Sequence, residues 1–142
     1  MTELKRKALA EFFEVDIDEI EETLELYNVF EVESEAGEYK VLTEDEADAE
    51  VRDYIEDILW AFNPSFLAGE TGIDEEVFKP LSNLCESANP AIKAIIDGTC
   101  GLDSFVEAAI SADGRGHFLS HYDGVEEDIR VGEEYFLIYR IN

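Results

Sequence analysis

Residues 43–62 read TEDEADAEVRDYIEDILWAF. Thr43 with Glu46 three places on makes a capping box, each side chain accepting from the other residue's backbone N–H at a helix start. Behind it Ala47, Val51, Tyr54, Ile55, Ile58, Leu59 and Phe62 keep a 3.6-residue period, and Asn63-Pro64 ends it. The spacing therefore predicts a long amphipathic helix with one buried stripe. At about 100° per residue, Glu46, Glu50, Asp53 and Asp57 fall in a row nearly opposite that stripe, with Glu56 beside it. At 1.5 Å of rise per residue the row covers roughly 16 Å. Trp60 also falls among the outward positions. Either Phe66 and Leu67 fold back over it after the turn, or it stands as an exposed anchor at the end of the row.

Upstream, Leu4, Ala8, Leu9, Phe12 and Phe13 follow helical spacing and predict a helix over 3–14. Asp16 with Glu19 is an acidic capping box, and Ile17, Ile20 and Leu24 share one face of a short second helix to about Thr23. Glu14, Asp18, Glu21, Glu22 and Glu25 would then form a second carboxylate row. Alternation over 26–33 and 38–42 around Glu35-Ala36-Gly37 predicts a β-hairpin, with Val29 on one face and Phe30 and Val32 on the other.

Downstream, Asp74 opens a helix carrying Val77 and Phe78, with Pro80 restarting or kinking it. Asn89 reads as an N-cap before Pro90, leading into 91–96, and 102–110 makes a last helix. Gly114-Arg115-Gly116 reads as a tight loop, 117–121 as a short strand, and Tyr122-Asp123-Gly124 as a turn. Val125 to Glu134 is expected to be an acidic connection, whose Glu126, Glu127 and Asp128 make a third cluster. A strand over 135–141 completes a second hairpin. The expected fold class is α+β: one domain over 1–142, two hairpins in a small antiparallel sheet covered by about five to six helices.

Charge narrows the function. Thirty-six acidic residues stand against ten basic ones, a formal charge of −26. Without the first seven residues, which hold Glu3 and Lys5-Arg6-Lys7, the balance is 35 acids to 7 bases, or −28. Solubility asks for a magnitude of only about 2 to 8. Nucleic acid and anionic membranes are repelled by such a chain, and a basic partner is attracted. Disorder does not explain the acidity, because the sequence is 46% hydrophobic with nine Phe and six Tyr. Salt adaptation fits poorly, since Glu outnumbers Asp 24 to 12 and the apolar set is rich in Ile and Phe. A third possibility is an ordinary solvated acidic face. Yet like charges at i and i+4 cost a few tenths of a kcal/mol each, and between Lys40 and Lys79 Arg52 is the one base present to relieve them.

The first ten residues are charged and lack the apolar core of a signal peptide, and no run approaches the roughly 20 apolar residues of a membrane span. A soluble, intracellular protein is expected. Cys85 and Cys100, fifteen apart with no CxxC pair, read as reduced thiols.

The segment from Asp113 to Asp123 holds His117, His121 and Arg115. Its spacing matches no calcium loop, and HExxH, GxxxxGKS, GxSxG and GxGxxG motifs are absent. The bland expectation is a structured loop whose Arg115 pairs with local carboxylates; the sharper one is a metal or acid–base site at the two histidines. No cofactor or metal is expected on the first reading.

A small, very acidic chain with carboxylate rows and no catalytic motif resembles the phage and plasmid proteins that mimic DNA, among them antirestriction and anti-CRISPR proteins. LWAFNPSFL (59–67) and ISADGRGHFLSHYDG (110–124) are similar to small phage proteins, over under a fifth of the chain. The resemblance implies a non-enzymatic inhibitor acting in the cytoplasm of an infected bacterium. It would occupy the basic nucleic-acid-binding cleft of a host defence nuclease, binding neither nucleic acid nor membrane itself, with a homodimer open. The surface that would do so, read from the carboxylate rows and not from the resemblance, is Glu46, Glu50, Asp53, Glu56, Asp57 and Trp60, with Asp18, Glu21, Glu22, Glu126, Glu127 and Asp128. Two alternatives remain open. An acidic interaction module or chaperone would expose an apolar groove. A small enzyme or metal protein would use His117 and His121.

Overall fold

The computed structural model describes all of residues 1–142. The fold is α+β, with seven α-helices and one five-stranded antiparallel sheet of order β1-β2-β3-β5-β4. Contacts divide the chain into two compact units, one of residues 1–50 and 115–142, the other of 51–114.

The first unit holds the sheet. Helix α1 (Thr2–Phe13) buries Ala8 and Leu9 completely and ends on Glu14 in the left-handed region. A single 3-10 turn (Ile17–Glu19) leads into β1 (Ile20–Glu22), followed by β2 (Val29–Val32) and β3 (Gly37–Leu42). The hairpin β2–β3 forms, but β2 begins only at Val29 and the connection is residues 33–36, with Gly37 already paired to Val32 in β3; Phe30 and Val32 share a core face with Tyr39 and Val41, packed against α1. Val29 lies on the opposite face, buried like Leu42, Leu137 and Tyr139.

The expected second helix is replaced by that 3-10 turn and strand β1. Asp16 does cap, accepting from Asp18 N at 3.0 Å. Arg6, however, donates to the carbonyls of Ile17 at 3.1 Å and Ile20 at 2.9 Å, which a continuing helix would have used itself. Ile20 instead pairs with Val32, and Leu24 is fully exposed.

The C-terminal half of the first unit also departs from expectation. Residues 115–119 form a short helix α7 (Arg115–Leu119), not a strand, and 125–134 is no mere connection but contains β4 (Glu127–Val131). Its partner is β5 (Glu134–Arg140), reached through Gly132-Glu133 with Gly132 at φ 64, the positive value that a two-residue hairpin favours. β4 is an edge strand; only Ile129 and Val131 turn inward, so its polar residues concealed it in the sequence.

Helix α2 (Glu44–Asp57) leads from the first unit into the second. Its capping box forms: Glu46 N donates to Thr43 Oγ1 at 3.2 Å, and Thr43 N to Glu46 Oε1 at 2.9 Å. The second unit continues with a 3-10 turn (Leu59–Ala61), α3 (Pro64–Thr71), α4 (Glu75–Ser82), α5 (Asn89–Asp97) and α6 (Leu102–Asp113). Val51, Ile55, Leu59, Leu67, Phe78, Ile92, Ile96 and Phe105 are fully buried. Asn63 caps α3 and Asp74 caps α4, while Pro80 lies inside α4 near its end. Asn89 is not an N-cap but lies inside α5, and its side chain accepts from Trp60 N at 2.9 Å and donates to Asp57 O at 2.7 Å. That carbonyl is therefore satisfied where α2 stops, five residues earlier than the apolar period suggests. Trp60 is half-buried. Phe66 stacks on Phe62 at 5.6 Å and meets Phe105 edge-on at 5.5 Å.

Candidate acidic interface

Carboxylates occur on every part of the chain, so the discriminating question is which of them already have a cation. Seven of the ten basic side chains form ion pairs, and those pairs take up ten acids.

On α2 the expected row is in helical register but largely committed. Glu46 is bound at 2.8 Å by Lys5, whose side chain is only 2% exposed and also donates to Asn28 Oδ1. Burial raises the Glu46 pKa, but the Lys5 and Thr43 hydrogen bonds outweigh it and hold the carboxyl below its ordinary value. Glu50 binds Lys40 at 2.8 Å; Glu56 lies 3.7 Å from Arg52, which also pairs with Asp103. Asp53 and Asp57 are the exposed members.

The third cluster divides similarly. Glu126 accepts from Arg115 at 2.9 Å and from the Tyr139 hydroxyl at 2.5 Å, and the same guanidinium reaches Asp48 at 3.0 Å. Burial first, then the Glu126 bond, pushes the Tyr139 pKa far up. Burial lowers the Arg115 pKa, but its bonds to Asp48 and Glu126 raise it overall. The expected pairing of Arg115 with local acids thus forms, tying α7 to α2 and the sheet. Glu127 and Asp128 remain exposed on edge strand β4.

The second cluster differs most from expectation. With 20–22 as a strand, Asp18, Glu21 and Glu22 form no helical row. Strand register instead sets Glu21 opposite Glu31 and Glu31 opposite Glu38, three glutamates side by side on one face of β1, β2 and β3. At about 4.8 Å between strands they span roughly 10 Å. Three adjoining depressions share Glu31: one of 420 Å³ includes Glu21, Glu22, Glu25 and Glu38 in its wall, one of 220 Å³ Asp18, Glu19 and Glu33, and one of 270 Å³ Glu33 and Glu38. No basic residue lines any of them, and none of these eight acids forms an ion pair. Glu31 and Glu38 were missed in the sequence: counted outward from a turn centred on Ala36, Glu31 would fall opposite Val41, whereas the observed connection of residues 33–36 sets it opposite Glu38.

His117 is exposed on α7 and His121 lies in the turn after it, so the strand that would align them is absent. No group of three or more His, Cys, Asp or Glu side chains is arranged to hold a metal ion. Cys85 and Cys100 are free thiols. No helix is long and apolar enough to cross a membrane. Comparison with protein-family models, curated proteins and solved structures gives no match.

Proposed function

We propose that this chain is a non-catalytic, phage-type inhibitor that offers carboxylates in place of phosphates to the basic nucleic-acid-binding cleft of a host defence nuclease, in the bacterial cytoplasm. The observation that carries the reading is the uncompensated Glu21–Glu31–Glu38 row. Like charges directly opposite each other on a sheet are destabilising. A fold whose cations go to Glu46, Glu50 and Glu126 while this row goes without keeps a cost that binding to a cationic partner would offset. An interaction module or chaperone would be read from an apolar groove, whereas the 420 and 220 Å³ depressions are walled mainly by carboxylates. The partner surface is thus read on β1–β3, where Glu21 and Glu22 of the expected set are joined by Glu31 and Glu38.

Low-salt capture from a bacterial lysate tests this directly. Wild-type protein should retain basic nucleic-acid-binding proteins that duplex DNA releases, and a variant with Glu21, Glu31 and Glu38 each changed to Lys should retain none. Retention indifferent to both DNA and the triple change would end the proposal.

A further inference from the structure

Between β1 and β2 lies a loop in which three of four consecutive residues expose apolar surface. Leu24 is fully exposed, Tyr27 is 85% exposed and Leu26 49%, with Glu25 between them. The other exposed large apolar residues stand at least three positions apart, as Met1 and Leu4 or Tyr122 and Val125 do, and Tyr122 is partly covered by the Arg140 guanidinium at 3.8 Å from its ring centre. Isolated cases are normal on any surface, whereas a concentration of them marks an interaction site.

The loop is hydrogen-bonded at both ends. Thr23 N donates to Val29 O at 2.8 Å, and Leu26 N to Thr23 Oγ1 at 3.3 Å. Asn28 adopts the left-handed φ of 62, and buried Lys5 donates to its side chain at 2.8 Å. A loop fixed in this way loses little conformational entropy on docking. We infer that Leu24, Leu26 and Tyr27 are a preformed anchor that enters an apolar pocket on a protein partner, a pocket whose rim carries Lys and Arg facing Glu21, Glu25 and Glu31.

Charge complementarity selects this occupant. Leu24 and Leu26 stand in the wall of the 420 Å³ acidic depression, so anything that covers them must also lie against those carboxylates. Nucleic acid and anionic lipid would be repelled there, and a second copy would bring two uncompensated rows together. The inference rests on the proposed function and adds a requirement to it: the cationic cleft must have a hydrophobic socket beside it. Charge would then govern encounter, and the anchor the lifetime of the complex.

Two synthetic peptides of equal positive charge provide the test, one alternating Lys with Leu and Trp, the other Lys with Gly. Affinity is read by fluorescence polarisation and the contact surface by amide chemical shifts. The Leu/Trp peptide should bind about tenfold tighter, a difference of about 1.4 kcal/mol, with shifts over 23–28. Leu24→Ser combined with Tyr27→Ser should erase that preference, leaving the Lys/Gly peptide's affinity and the thermal midpoint unchanged. A preference that survives the double change, or shifts centred on Val77 and Leu84, would overturn the anchor. So would a wild-type dimer in sedimentation that Leu24→Ser dissociates, because the occupant would then be a second copy. The acidic reading fails separately: Glu21, Glu31 and Glu38 changed together to Gln would leave Lys/Gly binding untouched.

Discussion

Lys5 and Gly116 each hold separate parts of the first unit together. Lys5 joins three elements, donating from α1 to Asn28 at the foot of the loop and to Glu46 in the first turn of α2. Lys5→Ala should destabilise the protein by about 2 kcal/mol, less than the 3–5 of a wholly buried pair because the Glu46 side chain is 39% exposed. Urea denaturation measures this, and pH gives the mechanism. Since Glu46 titrates below its ordinary 4.5 in the folded state, the stability it contributes is complete above that value and is lost as pH falls through the depressed one. The gap between wild type and Lys5→Ala should therefore narrow below about pH 4.5; a constant gap would assign Lys5 a packing role alone. Gly116 is a matter of space. A Cβ there would lie 2.5 Å from Gly124 O and 3.0 Å from Glu126 N, both backbone atoms that move only with their chain. Gly116→Ala should cost at least about 2 kcal/mol, and an unchanged urea midpoint would mean that this crossing is looser than it looks. Neither role was legible beforehand: Lys5 reads as one of three adjacent surface bases, and Gly116 as half of a Gly-Arg-Gly turn.

Among the elements, legibility followed the source of the stabilising bonds. Asn63-Pro64, read as the end of α2, instead caps and opens α3, whereas the start of α2 and the β2–β3 hairpin carry their own instructions in Thr43-x-x-Glu46 and the residues around Ala36, and they formed close to where these place them. Strand β1 did not, since Ile17, Ile20 and Leu24 have helical spacing and only Arg6, from α1, diverts the carbonyls. The end of α2 depends likewise on a residue 32 positions away, through the paired bonds of Asn89. Asn89→Ala leaves Trp60 N and Asp57 O without that partner and should cost about 2 kcal/mol by urea denaturation. An unchanged midpoint would mean that water replaces the amide at no loss. The row on β1–β3 inverts the usual direction of a damaging mutation. Glu31→Lys puts a cation between Glu21 and Glu38, so it should stabilise the fold by about 0.5–1 kcal/mol while abolishing partner binding. A variant that is both less stable and fully active would remove the row from the interface.

Over the whole molecule, 26 uncompensated charges impose two opposite responses to salt. Self-repulsion weakens the compact state, and screening relieves it, because the Debye length shrinks from about 30 Å at 0.01 M to about 10 Å at 0.1 M. The thermal midpoint should therefore rise by several degrees between about 10 and 500 mM NaCl, as followed by circular dichroism. On the proposed function binding should move the other way, since the same ions would screen the attraction between carboxylates and a cationic cleft. The steepness of that fall separates an imitation from real nucleic acid. Duplex DNA carries a charge per roughly 1.7 Å of axis and releases condensed counterions from each phosphate contact, giving a slope near −0.9 per contact. Three carboxylates about 4.8 Å apart on a sheet hold no such condensed layer, so the protein has fewer ions to release. Measured on one captured partner, log K against log salt should be shallower for this chain than for a duplex. Its advantage over DNA would then widen as salt approaches physiological strength, the direction an inhibitor competing inside a cell requires. Parallel slopes would mean that the carboxylates act as a true polyelectrolyte, and a flat line that charge plays no part in binding.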